Sequence, residues 1–202
     1  MKKVIITSFL ILIICQYSSA QTNFGVKGGL NINSTYSKED NNFLKTRLSG
    51  NIGFFSNVKI AKSLSIQPEI LFSGEGATIG NVTDDNGNDI GGGRLVFNYV
   101  NIPLLLKFAK SSKGIYGEFG PQFGILASAS AKSVGESTDI KDFLSSTNIS
   151  LVVGLGYNFS ESLGMGVRYN AGLSNIAKEK DGYLKVSNFQ IDLHYTFRKK
   201  SK

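Results

Sequence analysis

The chain contains 202 residues with a formal net charge of +7, and 41% of its residues are hydrophobic while only 18% are charged. This length predicts a single domain, and the single cysteine excludes a fold held by internal disulfides. Beyond the N-terminus, no stretch approaches the roughly 20 consecutive apolar residues of a membrane-spanning helix, which excludes a helical membrane protein. The mean hydropathy of −0.03 still permits a membrane barrel, in which only alternate residues meet lipid.

The N-terminus has the pattern of a secretory signal peptide. Two lysines precede an apolar run over 4–14, and small residues follow up to Ala20. A positive start, an apolar stretch of this length and a small-residue cleavage site are typical of such peptides. We therefore predict a cleaved signal peptide over 1–20 and an exported barrel domain over 21–202.

Alternation of apolar and polar residues recurs along the rest of the chain. Successive side chains of a β-strand point to opposite faces, so a period of two predicts strands with one apolar and one polar side. The alternation is blurred in 94–108 and nearly perfect in 186–198. Eight strands are predicted in this way, over 23–33, 48–60, 63–75, 94–108, 114–127, 147–159, 162–173 and 186–198.

The connections between these strands alternate in length. Outer-membrane barrels have short periplasmic turns and long external loops. The same rhythm here favours an all-β, eight-stranded, antiparallel, up-and-down transmembrane β-barrel with both termini in the periplasm. An exported soluble β-barrel that binds a small apolar ligand remains as an alternative. The predicted long connections are 34–47, 76–93, 128–146 and 174–185, and the short ones are 61–62, 109–113 and 160–161.

Charged residues on the polar strand faces are expected to line the lumen. An eight-stranded barrel has room for side chains but not for an open pore. Charges in so narrow an interior should pair, because an unpaired buried charge is costly. We interpret them as a structural network and keep a narrow, gated ion path as the alternative. The predicted network comprises Lys27, Lys59, Glu69, Lys107, Glu118, Arg168, Asp192 and His194.

His194 is the only histidine in the chain. A barrel enzyme that modifies lipids would set a histidine beside a serine and a carboxylate, because the base must activate the hydroxyl. Such a site belongs on the lipid-facing outer rim, whereas His194 falls on the predicted inward face near the periplasmic end of the last strand. We therefore predict no catalytic residues.

Other candidate ligand sites are weaker. Loop 83–89 is rich in oxygen ligands for Ca²⁺ but lacks the spacing and closing glutamate of an EF-hand loop. Its Asn86-Gly87 pair favours a plain exposed turn. The basic residues near the C-terminus are interpreted as a solvated tail. We predict no metal, no cofactor and no nucleic-acid partner.

Aromatic residues lie near several predicted strand ends. Such residues form girdles at the membrane interfaces of outer-membrane barrels. The candidates are Tyr99, Tyr157, Phe159, Tyr169, Tyr195 and Phe197.

Three segments stand out: FGVKGGLNIN at 24–33, YVNIPLLLKF at 99–108 and YGEFGPQFG at 116–124. They resemble strands of the PorT-like outer-membrane β-barrel family of Bacteroidetes-type bacteria. The resemblance covers essentially the whole mature chain, and Ile-Pro-Leu-Leu-Leu-Lys is its most specific element. It implies an eight-stranded barrel inserted by the barrel-assembly machinery. It also implies a link to protein secretion and surface maturation, and it brings no catalytic residues.

Together these features predict a non-enzymatic outer-membrane protein with a structural or interaction role at the cell surface, or an accessory to secretion. We expect a monomer in outer-membrane lipid that contacts secretion or surface proteins. A narrow porin or transport accessory is the alternative within the membrane.

Overall fold

Antiparallel β-strands make up most of the chain that the structure, a computed structural model, describes: residues 22–37, 44–80, 92–133, 136–179 and 182–197. The predicted signal peptide and the oxygen-rich loop 83–89 lie outside these ranges. In chain order the elements are β1 (Thr22–Ser37), β2 (Leu44–Lys45), β3 (Arg47–Ala61), β4 (Leu64–Ile79), β5 (Gly93–Ala109), β6 (Gly114–Ser133), β7 (Glu136–Asp139), a 3-10 turn (Lys141–Phe143), β8 (Thr147–Asn158), β9 (Leu163–Gly172) and β10 (Leu184–Phe197).

The eight long strands close into a barrel. Each pairs antiparallel with the next long strand along the chain, and β10 returns to β1 with Phe24 opposite Phe197. Closing the ring pairs the backbone groups that an open sheet would leave exposed at its edges. The short β2 adds to β4, and β7 adds to β6. The predicted all-β, up-and-down barrel is confirmed.

The barrel carries apolar side chains outward and polar side chains inward. Along β10, Phe189, Ile191 and Leu193 are exposed, whereas Gln190 and Asp192 between them are buried. A soluble barrel would bury the apolar face instead, so this inversion is typical of a surface that meets lipid. Within the described ranges, no helix has the length and apolar character needed to cross a membrane.

The blurred segment of the fourth predicted strand has a clear inward face. In β5, Leu105 and Tyr99 point inward and are completely buried, while Ile102 and Leu104 point outward. Tyr99 was predicted to lie in an interfacial girdle, and that prediction is wrong because Tyr99 shares the inward face with Leu105. The other five girdle candidates are outward-facing, with exposures between 41% and 51%.

The strands run further than predicted at one end of the barrel. β1 continues to Ser37, β4 to Ile79 and β6 to Ser133, so parts of the predicted long loops are strand. Pairing continues beyond the membrane-facing band because the two arms of a hairpin keep satisfying each other's backbone groups. The short connections, 62–63, 110–113 and 159–162, all lie at the opposite end, which we call the short-turn end.

An apolar plug, here called the loop cap, closes the other end of the barrel. Leu144 and Ile176 come from the long connections and pack against inward side chains of the barrel wall. Ile176 is completely buried, and its carbonyl accepts a hydrogen bond of 2.7 Å from the Ser145 N–H. The described parts of these two connections therefore fold back over the lumen at this end. The wall residues of the loop cap are Phe97, Tyr99, Leu126, Ala129 and Val186.

Candidate functional site

Five charged side chains meet in the middle of the lumen, and we call them the charge cluster. They come from five different strands, which reach the same level because their inward positions fall in register. Lys27 lies opposite Gly53 on β3 and opposite His194 on β10, and Glu118 lies opposite Gly154 on β8. The members of the charge cluster are Lys27, Glu69, Glu118, Arg168 and Asp192.

Arg168 joins two carboxylates at the centre of the charge cluster. Its guanidinium donates to both oxygens of Glu69 at 2.7 and 2.8 Å. It also donates to Glu118 twice. Its Nε donates to Oε1, and its Nη2 donates to Oε2 at 3.0 Å. The planar fork of arginine suits such bidentate recognition of carboxylates.

Lys27 completes the charge cluster on the β10 side. Its ammonium lies 3.2 Å from Asp192 Oδ2 and 3.5 Å from Glu69 Oε2. Asn51 donates to Asp192 Oδ1 at 2.9 Å, and Gln67 donates to Glu69 Oε1 at 2.7 Å. Every charge of the cluster thus has at least one partner of opposite charge, which offsets the cost of removing these groups from water.

Glycines leave the room that these large side chains occupy. A Cβ on Gly154 would lie 2.8 Å from Glu118 Oε1 and 2.9 Å from Arg168 Cγ. A Cβ on Gly164 would lie 2.6 Å from the His194 ring. Because a barrel of eight strands is filled by side chains, a bulky residue on one strand requires a small one facing it. The inward glycines of the sequence therefore mark the positions of the charge cluster and of His194.

Lys107 and His194 lie beside the charge cluster, toward the short-turn end. The Lys107 ammonium lies over the ring of Tyr116, 3.7 Å from its centroid. His194 Nε2 lies 3.1 Å from Asn158 Oδ1, and its ring meets Phe55 and Tyr116 edge to face. The hydrogen-bond partner of the imidazole is an amide, and among the described residues no serine or carboxylate is hydrogen-bonded to His194 as a catalytic triad would require.

Lys59 does not join the buried network, contrary to the prediction. It is exposed and lines the open mouth of the lumen at the short-turn end. It lies close to the end of β3, where the chain leaves the barrel interior, so its flexible side chain reaches water.

Glu75 is a buried charged residue that the predicted network does not include. It is 2% exposed and accepts a hydrogen bond of 2.9 Å from the Asn101 amide. Glu75 and Glu69 are an even number of residues apart on β4, so their side chains point to the same face of the strand. This spacing is the sequence signal that could have identified Glu75 as an inward charge. Around it, inward amides form a polar layer between the charge cluster and the loop cap, with Asn31 donating to Ser73 at 2.8 Å.

Metal binding has no support in the described part of the chain. No group of three or more histidine, cysteine, aspartate or glutamate side chains could hold an ion there. The carboxylates of the charge cluster are already paired with Arg168 and Lys27. Loop 83–89, where Ca²⁺ was considered, is outside the described residues.

Comparison with known proteins agrees with this geometry. Residues 16–178 match the family model described as an outer membrane protein beta-barrel domain. A comparison with curated proteins finds no match.

Solved structures of bacterial outer-membrane barrels share the fold. The attachment invasion locus protein Ail of Yersinia pestis, solved with the heparin analogue sucrose octasulfate, is 15% identical, with a TM-score of 0.50 over 87% of this chain and 99% of that one. Ail solved without that analogue is 16% identical, with a TM-score of 0.50 over 87% and 98% of the two chains. Neisserial surface protein A is 13% identical, with a TM-score of 0.49 over 86% and 97%. The fold and the family place this protein in the outer membrane, and the chain belongs to the outer membrane protein beta-barrel domain family.

Proposed function

We propose that this barrel acts through its surfaces, as a structural or interaction protein at the cell surface or as an accessory to secretion. In this proposal it neither catalyses a reaction nor conducts solutes. The observation that carries the proposal is the filled lumen. Three successive layers obstruct it: the charge cluster, the polar amide layer and the loop cap.

The filling is too strongly held to act as a simple gate. A solute would have to separate Arg168 from Glu69 and Glu118, and removing one partner of a buried ion pair costs about 3–5 kcal/mol. It would also have to displace Ile176, which is completely buried in the loop cap. A permanent plug of this kind favours a role for the outer surfaces over a narrow porin.

The short-turn end is proposed to face the periplasm, with the long connections outside the cell. The two ends of the described barrel, near Phe24 and Phe197, lie at the short-turn end, as in barrels with periplasmic termini. At the opposite end, Phe143 is 72% exposed on the 3-10 turn between β7 and β8. An exposed aromatic side chain is a common anchor for a protein partner.

The resemblance of segments 24–33, 99–108 and 116–124 to PorT-like proteins supports a more specific version. In that version the chain is a Bacteroidetes-type barrel that assists the secretion or surface maturation of other proteins. Its direct partners would be outer-membrane lipid, the barrel-assembly machinery during insertion, and secreted or surface proteins.

Complementation of a deletion strain tests the proposal. The strain would receive the wild-type chain, Phe143→Ser at the long-loop end, or Gln190→Met inside the lumen, and surface and secreted proteins would be compared. An interaction role predicts that Phe143→Ser fails to restore the lost proteins while Gln190→Met restores them. The opposite pattern, with a defect in the lumen variant alone, contradicts the proposal and favours transport.

A further inference from the structure

The lumen opens at the short-turn end into a cavity of about 280 Å³, which we call the mouth pocket. Its floor includes Lys107 and His194, and its rim includes residues 110–112 of the turn that follows β5. This volume is close to the lower limit of typical small-molecule pockets. The mouth pocket is therefore large enough for a small molecule but too small for a folded partner.

Positive charge dominates the mouth pocket. Among the described residues that line it there are four lysines and a single carboxylate. Charges of one sign around a concave site raise the local concentration of ions of the opposite sign. The lining charges are Lys59, Lys62, Lys107, Lys110 and Glu161.

Lys107 is the unusual member of this group because it is buried. It is only 8% exposed, and its ammonium contacts the face of the Tyr116 ring. Among the described residues, no carboxylate oxygen lies within 4.0 Å of that ammonium, and no hydrogen-bond acceptor is assigned to it. An ammonium has three donors. Those of Lys107 are open to the solvent of the mouth pocket, since its Nζ is not among the fully buried polar atoms that lack a partner.

The nearby carboxylates do not bind the Lys107 ammonium directly, because each of them is already paired with another cation. Glu69 and Glu118 both accept from Arg168, and Asp192 pairs with Lys27. They balance the charge of Lys107 over a distance without binding it. The free donors of Lys107 therefore face the mouth pocket.

We propose that the mouth pocket binds a small anion that carries a phosphate or carboxylate group. The Lys107 ammonium is its direct ligand at the floor, and Lys59 and Lys110 attract it at the rim. A lysine is a point charge with three rotatable donors, which suits a compact oxyanion. The site is independent of the proposed surface function, since it lies inside the barrel at the short-turn end.

Titration with inorganic phosphate tests this proposal. The full-length barrel would be folded in an uncharged maltoside detergent at low salt and followed by calorimetry. We expect saturable binding with one site per chain. Lys107→Met should weaken the affinity about tenfold or more, because a hydrogen bond to a charged group is lost. Lys113→Met makes the same exchange at an exposed position of the neighbouring turn, outside the lining, and should change the affinity less than about twofold.

A second variant covers the case in which Lys107→Met does not fold, as judged by heat-modifiable migration on a gel. The double variant Lys59→Gln with Lys110→Gln alters only exposed rim residues and should weaken phosphate binding severalfold. The proposal is overturned if the wild type shows no saturable binding, or if both the floor and the rim variants bind as the wild type does.

Nanodiscs distinguish the two sources of such an anion. Phosphate binding would be compared in discs of phosphatidylcholine alone and in discs that also contain phosphatidylglycerol. Competition by the anionic lipid assigns the mouth pocket to a lipid headgroup. Equal binding in both discs assigns it to a free anion, and loss of binding in both contradicts the proposal.

Discussion

At the scale of single residues, the interior depends on how completely each buried polar group is paired. Arg168 uses three nitrogens to bind two carboxylates from different strands. The amide of Gln190, on the neighbouring strand, has no hydrogen-bond partner in the described part of the chain. These two residues lie opposite each other in the register of β9 and β10, so they offer a matched comparison.

Arg168→Met is expected to destabilise the barrel by about 3–5 kcal/mol, because it leaves Glu69 and Glu118 buried without their main partner. Equilibrium unfolding by urea in lipid vesicles measures this change. Lys113→Met is the control, since it also replaces a cation with methionine but does so at an exposed turn. A loss below about 1 kcal/mol for Arg168→Met would show that the charge cluster contributes little to stability.

Gln190→Met is expected to be neutral or to stabilise the barrel by about 1 kcal/mol, because it replaces an unsatisfied buried amide with an apolar chain of similar length. The same urea titration measures it. A destabilisation of more than about 1 kcal/mol would mean that the Gln190 amide has a partner that the interior requires.

At the scale of strands, size complementarity across the narrow lumen fixes which positions must be glycine. Gly154 on β8 faces Glu118 and Arg168, whereas Gly117 on β6 faces outward, where a Cβ would come no closer than 3.7 Å to the Leu155 side chain. A methyl group added at Gly154 would therefore clash with the charge cluster, whereas one added at Gly117 would make only ordinary contacts.

Gly154→Ala is expected to cost about 1–3 kcal/mol, because the added Cβ overpacks the charge cluster. Gly117→Ala should change the free energy of unfolding by no more than about 0.5 kcal/mol. Urea titrations of the two variants side by side measure the difference. Equal effects of the two substitutions would contradict the close packing described for the lumen.

Most strands could be predicted from the sequence because alternation reports directly on the two faces of a barrel wall. The strand ends at the long-loop end could not, since hairpin pairing beyond the lipid band does not need alternating hydrophobicity. Tyr99 was misplaced because an aromatic residue suits both a girdle and a buried cap. The buried Glu75 is missing from the predicted network, although it lies on the same strand face as Glu69. Lys59 is wrongly included in that network, because alternation does not reveal how close a residue lies to the mouth of the barrel.

The contacts of Arg168 with two carboxylates and the packing of the loop cap could not be predicted from the sequence, for a different reason. The fork joins residues 50 and 99 positions apart, and the loop cap joins segments from separate connections. Alternation gives the face of a side chain but not its height in the barrel. That height depends on the register between strands, which the structure supplies.

At the scale of the whole molecule, the barrel combines a lipid-facing exterior with an interior filled from the charge cluster to the loop cap. The mouth pocket is open at the short-turn end, and its described lining includes Lys107 but no residue of the loop cap. We propose that this outer-membrane protein is a closed barrel that acts through its surfaces.

Planar-bilayer recording of the purified, folded protein tests that claim most directly. A general porin in the same lipid serves as the positive control, and heat-modifiable migration verifies that the sample is folded. We expect a flat current trace without channel steps at voltages where the porin conducts. Steady, reproducible single-channel steps from the folded protein would contradict it.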